Sequence, residues 1–170
     1  YNVEFATTLS TLVIVGANVI NVGSDGGQMD PMIERIEEQQ GELPEEFFTD
    51  GGFSTKDDIE NVGQRGVEVY TPIKEEERQK REGKDPYAPR PGEGPKVTEW
   101  RQRMGTDEAK EKYKQRCKCE WSNACCRNWG LWQFTVRGLE KVKAVVLWYV
   151  LTHDLLRMVA LRAQRAQTAT

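Results

Sequence analysis

An α/β fold is predicted for this chain on three observations. Strand-like segments alternate with amphipathic helical ones, an aspartate followed by two glycines stands at the end of one such strand, and a polar, Pro- and Gly-rich stretch separates this part from a helical second half. At 170 residues there is room for one ordinary domain with a core. The 30% of charged residues and a mean hydropathy of -0.69 require a long solvated segment as well. A net charge of -3 supplies no global attraction to nucleic acid, so any such contact must be local. Residues 96–127 are rich in Lys and Arg, whereas residues 34–46 are acidic.

The elements follow from local chemistry. Residues 1–8 alternate Val3 and Phe5 with polar neighbours, and residues 12–20 are rich in Val and Ile, which predicts two strands joined as a hairpin. Residues 21–27 are turn chemistry, with Ser24 or Asp25 able to cap a helix over 28–40. That helix places Met29, Met32, Ile33 and Ile36 on one side, and Gly41 ends it. Residues 46–49 read as a short strand carrying Asp50 at its end, beside Gly51 and Gly52. Ser54 or Thr55 then opens a helix with Asp57 and Asp58 in its first turn, as a capping box does. Residues 67–70 alternate as a strand that Pro72 stops.

Residues 74–82 form a mixed charge run and residues 85–95 are rich in Pro and Gly, so an exposed insert is expected there. From Val97 the chain is helical, Gly105 interrupts it, and Thr106 with Asp107 and Glu108 restarts it. A last helix runs from Gly138 to about Ala163. Its apolar run over 145–151 is shorter than the roughly 20 residues a bilayer needs, which predicts a core helix against the sheet. The apolar run 12–15 is too short, and lacks the basic leader, for an export signal. The organisation expected is residues 1–72 as sheet and helices, 73–96 as the insert, and 97–170 as the remaining helices of the same domain.

Chemistry concentrates in the restarted helix. At roughly 100° per residue, steps of three, four and seven bring Tyr113, Arg116, Glu120 and Arg127 into one narrow arc. A carboxylate among cations can be a solvated face, with Arg116 and Glu120 as an i,i+4 pair, or a site. Asp50 at a strand end has the address of a ligand-binding acid in an α/β sheet, and Asp before Gly is equally a common turn pair. Cys117, Cys119, Cys125 and Cys126 point in divergent directions on a helix, which disfavours zinc and favours small buried or half-buried thiols. His153, beside Asp154, belongs to no nucleophile motif and reads as a helix-packing histidine.

The order Tyr, two residues, Arg, three residues, Glu, six residues and a basic residue resembles the signature around the last catalytic acid of insertion-sequence DDE transposases, with Arg127 where that family usually has Lys. Tyr1-Asn2-Val3, Thr49-Asp50-Gly51-Gly52-Phe53 and Val136-Arg137-Gly138-Leu139-Glu140-Lys141-Val142 are similar to the same family. The resemblance implies an RNase H-like mixed sheet with flanking helices, in which three acids hold two divalent metals, Mg²⁺ or Mn²⁺, for attack on phosphodiester bonds. Carried over, Asp50 is the second acid and Glu120 the third, both metal-binding and catalytic, while Tyr113, Arg116 and Arg127 lie near DNA.

No residue matches the first acid, and Asp25 is a poor substitute because it follows the second strand. The expectation is therefore the C-terminal part of a catalytic domain, incomplete at its N-terminus and unable to cut DNA alone. Its partners would be transposon ends and target DNA, with a homodimer compatible and no membrane. Its place would be the bacterial cytoplasm, associated with the nucleoid. A metal-dependent nuclease of the same fold and an inactive DNA-binding remnant are the alternatives.

Overall fold

The computed structural model of the chain describes residues 1–23 and 26–168. They divide into two compact units, Tyr1–Gly23 with Cys117–Thr170, and Ser24–Arg116. Ser24 and Asp25, expected as helix caps and, for Asp25, weighed as an acid, lie outside the described residues.

In the first unit, β1 (Asn2–Thr7) and β2 (Ile14–Ile20) pair antiparallel, Asn2 opposite Ile20, as the alternation predicts. Alternation puts Val3 and Phe5 on one face of β1, and these meet Val19 of β2 and the buried Val142 and Val146 of a long helix, α7 (Leu139–Thr168). A shorter helix, α6 (Glu120–Asn128), contacts both β1 and α7. The N-terminal half of α7 thus lies against the hairpin, as expected. Its second half does not follow the expectation, because Leu151, Leu155, Leu156 and Val159 are exposed. The helix has 30 residues, with an 18-residue window of mean hydropathy 1.5 that is 11% buried, so by length and composition it is sufficient to cross a membrane. The run 145–151 understated it, since after Thr152, His153 and Asp154 only Arg157 interrupts the apolar sequence that continues to Leu161.

Polar bonds fasten α7 to the hairpin turn. Asp154 Oδ1 accepts the Ile14 amide at 3.0 Å and lies 2.8 Å from Nδ1 of the fully buried His153, a contact an Nδ1–H makes as donor. Arg157 donates to the Thr11 carbonyl from Nε and Nη2 at 2.9 and 2.8 Å. His153 packs between Trp121 and Trp129, with ring centroids 5.3 and 6.1 Å away, which supports the packing role expected of it. Asp154→Ala strips two donors of one acceptor and is expected to cost about 2–3 kcal/mol in urea unfolding. Asp154→Asn keeps an oxygen with two lone pairs there, and less than about 1 kcal/mol should be lost.

In the second unit, β3 (Glu46–Phe48) and β4 (Glu68–Tyr70) pair in parallel, Phe47 opposite Val69. Among the described residues there are two two-stranded sheets and not one larger mixed sheet. Strands of three residues offer few ladder hydrogen bonds, and the helices contribute most of this unit's buried surface. Helix α1 (Met29–Gln40) buries Met29, Met32, Ile33 and Ile36. Gly41, at φ 78°, closes it through its N–H to the Glu37 carbonyl. Helix α2 (Lys56–Gln64) begins with the expected capping box of Thr55 and Asp58. A short helix, α3 (Glu76–Arg81), lies in the charged stretch, where Arg78 and Lys80 pair with glutamates three and four residues away.

Helices α4 (Pro95–Met104) and α5 (Asp107–Tyr113) meet at Gly105, and the Thr106 hydroxyl caps α5 by accepting from the Ala109 amide. The start of α4 is held by Glu60 of α2, whose Oε2 accepts the Lys96 and Val97 amides at 3.0 and 3.1 Å. A Cβ at Gly94 would overlap that carboxylate. Gly94→Ala is therefore expected to displace the cap and lower stability by about 1 kcal/mol, read from the urea midpoint.

Candidate catalytic and DNA-contacting site

Asp50 follows β3 and is exposed. Its Oδ1 accepts the amides of Gly52 and Phe53 at 3.0 and 3.1 Å, the bonding of a glycine-rich turn capped by its own aspartate. Neither Gly51 nor Gly52 has a positive φ. What their lack of a side chain provides is room: a Cβ on Gly51 would sit 3.3 Å from Cγ of Pro72, and one on Gly52 3.3 Å from Asp50 Oδ1. Buried Thr71 fixes the turn from beneath. Its hydroxyl donates to the Asp50 carbonyl at 3.0 Å and meets Ser54 Oγ at 3.0 Å, while its carbonyl accepts the Trp100 indole N–H at 3.1 Å. Sequence reading passes over Thr71, and the one local signal is a small hydroxyl residue between strand and Pro72.

The second unit brings three of the sequence-selected residues together. The Tyr113 phenol donates to the carbonyl of Thr49, the residue before Asp50, at 3.1 Å. The Arg116 guanidinium lies 6.0 Å from the Tyr113 ring centroid. Lys112, one residue earlier, pairs with Glu46 of β3 and stands 5.3 Å over the ring of Tyr70, which stacks on Phe48.

Glu120 and Arg127 belong to the first unit, as the first residue of α6 and a residue of its last turn, and both are exposed. Seven residues apart in one α-helix, they share a face, separated by about 10 Å of axial rise. The continuous arc expected from Tyr113 to Arg127 is not formed. Residues Lys114–Cys119 are a 3₁₀ segment between α5 and α6. With that segment wound at three residues per turn, the unbroken α-helix on which the arc depends is absent.

Glu120 in the first turn of α6 lies at the positive end of the helix dipole. Arg127 places its guanidinium 5.9 Å from the Trp132 ring. The thiols near them are divided: Cys117 is exposed, contrary to expectation, Cys119 and Cys125 are half-buried, and Cys126 is buried. Burial, with Cys125 and Asp154 adding to it, pushes the Cys126 thiol up to about 11, where it is an inert packing group.

The exposed carboxylates of Asp50 and Glu120 are hard oxygen donors of the kind that divalent cations prefer. Among the described residues no group of three or more His, Cys, Asp or Glu is arranged to hold a metal, so these two acids are donors of the right chemistry without an assembled cage.

The family model described as the transposase DDE domain matches residues 1–155. The chain belongs to the transposase DDE domain family. No curated protein and no solved structure gives a significant match. DDE transposases act on DNA and use divalent metal ions. The match runs through the hairpin, both Asp50 and Glu120, and α7 as far as Leu155.

Proposed function

We propose that this chain supplies the second and third acids, Asp50 and Glu120, of a DDE transposase catalytic domain with an RNase H-like fold. The two carboxylates would hold Mg²⁺ or Mn²⁺, which when bound stabilises charge on the phosphoryl oxygens and the attacking hydroxyl. The chain's own residues have simpler tasks. Tyr113 positions the Asp50 turn through the Thr49 carbonyl, and Arg116 and Arg127 present guanidinium forks suited to phosphate. The phenol-to-carbonyl bond between residues 113 and 49 is the observation that carries this reading, because it ties Tyr113, the first residue of the signature, to the loop that carries Asp50.

Cleavage would need a first acid beside these two. The intact transposase, a homodimer in the cytoplasm at the nucleoid, would act on transposon ends and target. The test is Mg²⁺- or Mn²⁺-dependent cleavage and joining by the full reading frame on a donor carrying terminal repeats, with Glu120→Ala as control. Joined products lost with Glu120→Ala support the reading. Cleavage without joining indicates a nuclease of the same fold, and binding without cleavage an inactive remnant.

A further inference from the structure

Asp50 is held at both of its peptide bonds. The Thr49 carbonyl, on one side of the Asp50 Cα, accepts the Tyr113 phenol at 3.1 Å, and the Asp50 carbonyl, on the other side, accepts the Thr71 hydroxyl at 3.0 Å. A planar peptide turns as a unit, so two fixed carbonyls fix both planes and with them the direction of the Cα–Cβ bond. The Gly52 and Phe53 amides, both on Oδ1, then set the rotation of the carboxylate. Among the described residues none donates to Oδ2, and the residue is exposed.

The group that holds the second of these planes lies in the interior. Thr71 is fully buried, and Ser54 retains 4% of its exposure. Thr71 Oγ1 lies 3.0 Å from Ser54 Oγ as well as 3.0 Å from the Asp50 carbonyl. A threonine hydroxyl has one hydrogen and a carbonyl can only accept, so Thr71 donates to Asp50 and Ser54 donates to Thr71. The result is a directed chain from Ser54 through Thr71 to the carbonyl of the acid, and in a dry interior each bond polarises the next. Trp100 of α4 steadies its middle member, with the indole N–H on the Thr71 carbonyl at 3.1 Å. Packing alone would be met at position 71 by valine, which has the shape of threonine and no hydroxyl.

We infer that Ser54 and Thr71 are positioning residues for the second acid: from beneath the turn they hold the Asp50 carboxylate in the orientation that leaves Oδ2 for a divalent cation. Neither touches the cation. The inference rests on the reading of Asp50 as a metal-binding acid, and it adds two buried hydroxyls that the sequence signature does not contain. Fixing an acid before its metal arrives is what removes the cost of ordering it on binding.

The first test needs no metal. Amide hydrogen exchange of the chain, followed by NMR, should show the Gly52 and Phe53 amides exchanging about tenfold faster in Thr71→Val, the worth of one hydrogen bond, and at the parental rate in Thr71→Ser. The Gly41 amide, bonded to the Glu37 carbonyl, is the control for a general loss of stability and should not change. In the full reading frame, Thr71→Val should raise the Mg²⁺ concentration for half-maximal cleavage roughly tenfold, and Thr71→Ser should restore it. Should Thr71→Val fail to fold, Ser54→Ala removes the other end of the chain and should move both readouts in the same direction by less. Parental exchange at Gly52 and Phe53 in Thr71→Val overturns the inference, as does equal acceleration at Gly41 or a Thr71→Ser variant no better than Thr71→Val. Cleavage that is lost with Asp50→Asn and indifferent to Thr71→Val overturns this inference alone. Cleavage indifferent to Asp50→Asn overturns the reading of the acid, and the inference with it.

Discussion

Glu120→Ala is expected to lower divalent-metal-dependent cleavage by the full reading frame by a factor on the order of 10²–10³, the usual loss when one preorganised charge-stabilising group is removed. The same substitution should leave the protein folded, because the Glu120 side chain is exposed. That separation of activity from folding is what distinguishes a catalytic carboxylate from a solvated one. Asp50 needs a subtler variant, since its Oδ1 also caps the turn through the Gly52 and Phe53 amides. Asp50→Asn retains an acceptor for both amides and removes the charge, so cleavage should fall comparably while the turn persists. Gel assays of product formation beside urea unfolding of each variant provide both readouts. Parental cleavage rates in Glu120→Ala would remove Glu120 from the acid set.

The parts of this molecule that could be read from sequence are those written in short-range chemistry. Gly41 closing α1, Thr55 with Asp58 opening α2, and Thr106 restarting the chain after Gly105 all stand where local capping rules place them. The hairpin of β1 and β2 was equally legible, because alternation fixes which side chains face Val142 and Val146. Helix type was not. Lys114–Cys119 contains no Pro or Gly to mark a departure from α geometry, yet its neighbours are held from afar, Tyr113 by the Thr49 carbonyl and Cys119 by the Thr7 carbonyl. Such tethers decide local winding and leave no trace in spacing. For the same reason the sequence could select Tyr113 and Asp50 separately but not the bond that brings their segments together across 64 positions. In α7 the hydropathy pattern identified an apolar helix, and it carried no information on which of its two sides the hairpin would cover.

The charged stretch before α4 conceals the second large effect, because one of its many glutamates is not solvated. Glu93 and Arg101 each retain 4% of their side-chain exposure. Arg101 donates Nε to Oε2 and Nη2 to Oε1, both at 2.7 Å, and Nη1 to the Pro86 carbonyl at 2.9 Å. Lys56 adds an ammonium 2.9 Å from Oε1. Hydrogen bonds from Arg101, reinforced by Lys56 and opposed by burial, hold the Glu93 carboxyl at about 2 instead of the usual 4.5. The folded value lies below the unfolded one, so this stabilisation is complete above pH 4.5 and is lost as pH falls from there to about 2. Its size is about 3 kcal/mol.

Glu93→Ala should therefore cost about 3–5 kcal/mol at neutral pH, because it leaves the Arg101 guanidinium buried without a counter-charge. Removing both charges, as Glu93→Met with Arg101→Leu, should recover most of that loss, since apolar groups of similar volume carry no desolvation cost. Glu93→Gln should flatten the acid limb of the stability curve between pH 4.5 and 2 while the parent declines steeply across it. Urea unfolding of the four proteins at neutral and acid pH measures each effect. If Glu93→Ala unfolds like its parent at every pH, the pair contributes nothing to folding, and residues 85–95 are held by their other contacts, among them Arg101 on the Pro86 carbonyl.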